Sequence, residues 1–233
     1  MCNGSIMDKL ISFSLPLMVS GILQLAFNAV DIIVVGRFSG SQALAAVGST
    51  TALINVFTNL FIGISLGANV LAARFYAAGK DREMSETVHT SITLAMVSGV
   101  IMAFVGVLFA RGALELMGTP DDVLPLAALY LKIYFIGMPA TLTYNFGAAI
   151  LRAVGDTRRP LYFLLFAGAV NVVLNLVFVI VFSMGVAGVA TATVVSECIS
   201  AVLIVQCLAR SDSAYRLCRE KMRITESKVK QIM

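Results

Sequence analysis

Six times along its 233 residues this chain runs for more than 20 residues with at most one charged side chain. The runs are roughly 10–36, 46–73, 87–110, 123–149, 160–183 and 187–209. About 20 apolar residues in helical form cross the hydrocarbon of a bilayer, where the backbone must satisfy its own hydrogen bonds. The runs therefore predict six transmembrane helices. Composition closes off the soluble alternative: 59% of residues are hydrophobic and 13% charged, against about 25% charged in soluble domains. The opening MCNGSIMDKL has no signal-peptide pattern, so the first run is expected to stay as a helix.

The connections are short and carry turn chemistry: SGSQ, AAGKDRE, GTPDD, RAVGDTRRP and SMGVAG. In GTPDD, Thr119 can cap, Pro120 suits a first helical position, and Asp121 and Asp122 suit the positive end of a helix dipole. Basic residues set the orientation. Lys9, Arg74, Lys80, Arg82, Arg152, Arg158, Arg159 and seven more between Arg210 and Lys230 fall on one side, fourteen in all. Arg37, Arg111 and Lys132 fall on the other, or within the fourth span. The positive-inside rule then places both termini in the cytoplasm, so the net charge of +4 needs no nucleic acid to explain it. Residues 1–209 are expected to form a six-helix transmembrane unit and 210–233 a basic cytoplasmic segment, either an amphipathic surface helix or a solvated linker. The chain stops in KVKQIM, where apolar residues are just returning, and the expectation is of a fragment.

The first span carries the costliest residue. Asp31 shares a helical face with Ser20, Gln24 and Asn28. A carboxylate in hydrocarbon costs roughly 2.5–3.5 kcal/mol on insertion scales, so it is expected to face protein or a wet cavity. Other spans repeat the pattern. The second carries Thr51, Asn55, Thr58 and Asn59, and the fourth carries Tyr130, Tyr134, Met138, Thr141 and Asn145. The fifth carries Asn171 and Asn175, and the sixth Thr193, Glu197 and Ser200. Single Ser, Thr or Asn residues in membrane helices usually bond to a neighbouring helix. Two acids on polar faces of separate helices need neutralisation or water as well. A cavity lined by Gln24, Asn28, Asn55, Tyr134, Met138, Thr141, Asn145 and Glu197 would suit a cation or a moderately polar organic molecule. A buried acid that trades its proton for a cation is the minimal chemistry of a coupled secondary transporter.

No enzyme constellation competes. There is no GxxxxGK[ST], no HExxH and no nucleophile–histidine pair. His89 has no partner pattern and reads as a helix-end residue, and the four cysteines read as reduced and structural. Gly63 and Gly67, with Ala68 and Ala72, allow close helix approach. Pro16 and Pro139, inside spans, invite kinks.

Three blocks, SLPLMVSGILQLAFNAVDIIVVGRFSGSQALAAVG, FIGISLGANVLAARFYAAGK and AILRAVGDTRRPLYFLLFAGAVNVVLN, resemble the multidrug and toxic compound extrusion (MATE) family, and MGVAGVATATVVSE follows in order. The match is to the bacterial branch related to DNA-damage-inducible protein F. The resemblance implies an all-α integral membrane protein whose six transmembrane helices form one lobe, half of a twelve-helix antiporter, with the second lobe following residues 210–233. If the chain is complete, two copies would have to pair. The resemblance implies a small organic, cationic or amphiphilic substrate, membrane lipid as surroundings, a bacterial inner membrane, and no cofactor beyond a coupling ion. The family's first-helix aspartate and helix-bending proline fall on Asp31 and Pro16, the latter as hinge. Its fifth-helix Asn-x-x-x-Asp falls on Asn171 and Asn175, with an amide replacing the second acid. Its sixth-helix threonine falls on Thr193, or on Thr191 in the other register. With that amide, protons are favoured over sodium at the Asp31 site, and no other metal is expected. Glu197, one turn past Thr193, brings an acid near the site without a family role behind it. The alternatives are a lipid-linked precursor flippase of the same superfamily, which needs a cationic cavity where this chain offers only Lys132, and a non-transporting membrane scaffold subunit.

Overall fold

The computed structural model describes residues 6–211, 213–218 and 225–232. The described residues form helices α1 (Ile6–Phe38), α2 (Ser41–Ala77), α3 (Asp81–Leu116), α4 (Leu124–Ile136), α5 (Met138–Ala153), α6 (Arg158–Leu176), α7 (Gly185–Ala209) and α8 (Glu226–Ile232), with no strand among them. A π-helical turn, Val177–Val181, continues α6. Five helices are long and apolar enough to span a membrane, and α4 with α5 makes a sixth, bent span. The chain is a multi-pass membrane protein. The first three helices have 33, 37 and 36 residues, so at 1.5 Å per residue each exceeds the roughly 30 Å hydrocarbon core and projects beyond it.

The fourth span is two helices rather than one. It bends by 48° between Ile136 and Met138. Pro139, second in α5, brings no N–H to the ladder, and the Gly137 carbonyl instead accepts from the Ala140 N–H at 2.9 Å and the Thr141 N–H at 3.1 Å. Glycines let neighbours close on this bend. A Cβ on Gly99 of α3 would meet the Pro139 backbone, and one on Gly137 would meet Val194 of α7. Pro16, by contrast, lies inside an unbroken α1.

The most enclosed helix is α5, with 11 of its 16 residues buried, against α2, α3 and α7. Leu142, Phe146, Ile150 and Leu151 pack there with Met84, Val88, Ile92, Ile204 and Leu208. A second apolar cluster, from Ala110 and Leu114 to Phe135 and Met138, joins α3 and α4. α1 is peripheral: among its described side chains only Pro16, Asp31, Val34 and Val35 are buried.

The short α8 packs on α2 and α3. Lys228 is buried with its ammonium 4.0 Å from the Phe75 ring centroid, and the Ile232 carbonyl abuts Gly67. α8 thus runs antiparallel to α2. Gly63, the other half of the GxxxG, has open space around it. Arg219 to Ile224, within the basic segment, lie outside the described residues.

Candidate functional site

Asp31 is only 8% exposed, although the helix that carries it is otherwise open. What covers it is α6. Gly168 lets the Phe27 ring lie against the α6 backbone, and without a side chain there α1 and α6 come close enough for polar contact. The Asn175 amide then donates to Asp31 Oδ1 and, at 3.2 Å, to Asn171 Oδ1. From α7 the Thr193 hydroxyl reaches Asp31 Oδ2 at 3.4 Å and accepts from Asn171 Nδ2 at 3.4 Å. Thr191, the other register, bonds among the described residues only to its own helix at Ala187. The structure therefore brings Asp31, Asn171, Asn175 and Thr193 into one cage.

Two features finish that cage. The π-helical turn begins two residues after Asn175, and Val179 within it packs with Val34, Val35, Tyr130 and Val189 as an apolar cover. A π-turn in a helix often marks a functional site, and nothing in VFVIV announces one. The other is an orphan: Asn175 is fully buried, yet its Oδ1 has no hydrogen-bond partner among the described residues. A buried carbonyl oxygen without a donor is costly, and a proton on the facing acid or a small cation would meet its need. Among the described residues the ion pairs are Arg82–Glu86, Arg111–Glu115 and Arg159–Asp156. Neither Asp31 nor Glu197 has one.

Glu197 bonds through Oε2 to the Thr141 hydroxyl of α5. Tyr134 stacks on Tyr130, ring centroids 6.5 Å apart at 23°, and both rings lie within electrostatic range of Glu197 and Asp31.

The expected cavity wall needs correction. Met138 is fully buried in the α3–α4 cluster and lines nothing. It shares that cluster with Tyr134, so the two stay together across the break at Gly137, on a face that is apolar rather than wet. Tyr134 is itself buried, 9% exposed. Gln24, Asn28 and Asn55 are exposed and Asn145 is half-buried, so among the described residues they do not enclose a cavity. Ser20 bonds back to Pro16 O at 2.8 Å. Lys132 is exposed beside Arg111 and Leu129, not an interior base.

A cavity of about 980 Å³ lies elsewhere, between the start of α3 and Ser213, Ala214, Arg216, Cys218 and Thr225. His89 lines it. It is buried, its Nδ1 lies 2.6 Å from Ser85 O, and its Nε2 accepts the Cys218 backbone N–H at 2.9 Å. No sequence pattern links residues 129 apart.

Comparison with known proteins gives a consistent result. The MatE family model matches residues 16–177. "Probable multidrug resistance protein YpnP" of Bacillus subtilis (strain 168) is 31% identical over 197 residues, 84% of this chain and 44% of that protein. "Probable multidrug resistance protein YoeA" of the same organism is 34% identical over 188 residues, 79% of this chain and 41% of that one. The chain thus spans less than half the length of these curated relatives. The crystal structure of a MATE protein in the bent conformation superposes with a TM-score of 0.89 at 24% identity, over 98% of this chain and 51% of that chain.

Proposed function

Because this chain belongs to the MatE family, we propose that it is the N-terminal lobe of a secondary exporter that moves small organic, cationic or amphiphilic compounds out of a bacterial cell against an inward flow of protons. Residues 210–233 connect it to a second lobe, and both ends of the chain lie in the cytoplasm. The observation that carries the reading is the Asp31 cage: an acid buried in a membrane helix, with no cationic partner among the described residues and with an unsatisfied amide oxygen beside it. Such an acid must be neutralised by a proton or an ion. When a proton does so, Asp31 is neutral and the cage closes on it. When it leaves, the carboxylate calls for water or a cationic substrate on the open face that carries Gln24, Asn28 and Asn55.

Protons are favoured over sodium by the direction of the Asn175 amide. Its N–H group already occupies oxygens of Asp31 and Asn171, and a sodium ion would have to displace it from both. Pro16 leaves the Ser12 carbonyl without its helical donor, a weak point at which α1 can bend with the state of Asp31. Lys132 and Arg111 line a small pocket that no residue of the Asp31 cage shares, so the cage itself lends the flippase alternative no support.

The test is Asp31→Asn in the full two-lobe transporter, assayed as efflux of a cationic dye from vesicles under an imposed proton gradient. Gradient-driven efflux is expected to fall to the passive leak. Undiminished efflux overturns the reading, and an absolute sodium requirement at fixed pH overturns the choice of ion.

A further inference from the structure

We propose that Glu197 and Thr141 form a second proton-binding site, one helical turn from the Asp31 cage, and that Thr141 relays its state to the break between α4 and α5. The proposal rests on the reading of Asp31 as the first proton site, and extends it to a residue outside that cage.

The Thr141 hydroxyl has a single proton to donate and two oxygens within reach: Gly137 O, at 3.2 Å, and Glu197 Oε2. When Glu197 is protonated, its own O–H donates to Thr141 Oγ1, and the threonine proton is left for Gly137 O. When Glu197, a half-buried residue, releases its proton to water, the threonine proton turns to the carboxylate. Gly137 O then keeps only its two backbone donors, Ala140 and Thr141. One proton leaves, one hydroxyl rotates, and the acceptor that loses a bond is the carbonyl at the bend.

The Asp31 cage is built the same way. The Thr193 hydroxyl also has one proton and two acceptors, Val189 O at 3.0 Å and Asp31 Oδ2 at 3.4 Å. Thr193 and Glu197 are four residues apart on α7, a rise of about 6 Å. Between them Val194 packs on Gly137, so closely that a Cβ there would lie 2.8 Å from Val194 Cγ2. The face of α7 that bears Glu197 is therefore pressed onto the break. The titratable groups around Glu197 are Asp31 from α1, Tyr130 and Tyr134 from α4 and the adjacent Cys198 of α7. Among the described residues no cation joins them.

The test is infrared difference spectroscopy of the purified protein in detergent, titrated across pH, with hydrogen exchange at Gly137–Thr141 read alongside. The native protein is expected to lose two protonated-carboxyl bands. E197Q removes one of them, D31N the other, and T141V shifts the Glu197 band alone. Exchange at the break should depend on pH beyond the intrinsic rate, and lose that dependence in E197Q and T141V. E197D, which keeps the acid, should restore a shifted band if E197Q folds poorly. A spectrum unchanged by E197Q overturns the proton site, and exchange unaffected by E197Q overturns the relay. A spectrum changed by E197Q but not by D31N keeps this proposal and refutes the role given to Asp31.

Discussion

Replacing Gly99 with alanine tests whether α3 is seated against the α4/α5 break as tightly as the geometry requires. A methyl carbon at Gly99 would lie 2.5 Å from Pro139 Cα and 2.9 Å from Pro139 N, where ordinary contact begins at 3.4 Å. The shortfall at Cα, 3.4 against 2.5 Å, is about 0.9 Å, and it is a shortfall against backbone. Proline has its φ fixed and no rotamer to turn aside, so a whole helix must move. Overpacking of this kind costs typically 1–3 kcal/mol, and the absence of a flexible neighbour puts it near 3. Alanine returns up to about 1 kcal/mol of helix propensity, leaving a net loss of about 2 kcal/mol. For a chain of this size each kcal/mol moves the midpoint by roughly 2–4 °C, so Tm should fall by about 4–8 °C. The assay is thermal loss of helical circular dichroism in detergent. Gly63→Ala and Gly112→Ala are the controls, because nothing lies within 4 Å of a Cβ at either position; their Tm should hold or rise slightly. A Gly99→Ala protein as stable as those controls would refute the seating of α3 on the break.

Two other perturbations separate neighbouring residues that look alike in sequence. Thr193→Val removes a hydroxyl that reaches Asp31, whereas Thr191→Val removes one that, among the described residues, bonds only to its own helix; efflux should drop at least tenfold in the first and stay within about twofold in the second, as a typical side-chain bond to a charged group of 1.5–3 kcal/mol implies. Equal effects would count against the cage. His89→Phe keeps an aromatic ring but takes away the acceptor of the Cys218 N–H. A net bond of about 1 kcal/mol corresponds to roughly fivefold faster hydrogen exchange at that amide, and unchanged exchange would show that the 213–218 segment is held by other contacts.

The membrane spans were legible because a bilayer demands about 20 apolar residues, and that demand leaves a mark no packing detail can erase. Faces were legible as well: Asn171 and Asn175 four apart, and Thr193 and Glu197 four apart, can only lie on one side of their helices. Neighbours were not. Helical spacing says that Thr193 and Thr191 point in different directions but not which one meets Asp31, and the family register left both open. Spacing also does not say what a face meets. Met138 stays with Tyr134 across the bend, but both lie in the apolar cluster rather than on a wet wall. The π-turn after Asn175 adds no unusual residue, since VFVIV suits an α-helix equally well. His89 failed for a third reason: its partner is a backbone N–H, and backbone groups have no sequence signature.

A charge change at Asp31 can bias the rest of the lobe only through a group whose contacts differ between the two states. Two routes meet that condition, and they differ in reach. Pro16 lies fifteen residues from Asp31, about 22 Å along α1, so bending there swings the helix that carries the acid while leaving the α6 and α7 parts of the cage behind. The turn from Thr193 to Glu197 acts over about 6 Å and ends on α5, the most enclosed helix, through Thr141 and the contact of Val194 with Gly137. Close packing transmits displacement, because an interior at crystal density has no slack to absorb it. A peripheral α1 and an enclosed α5 therefore answer the same proton differently: α1 by moving, and the break by exchanging one hydrogen bond for another while its backbone donors hold it in place.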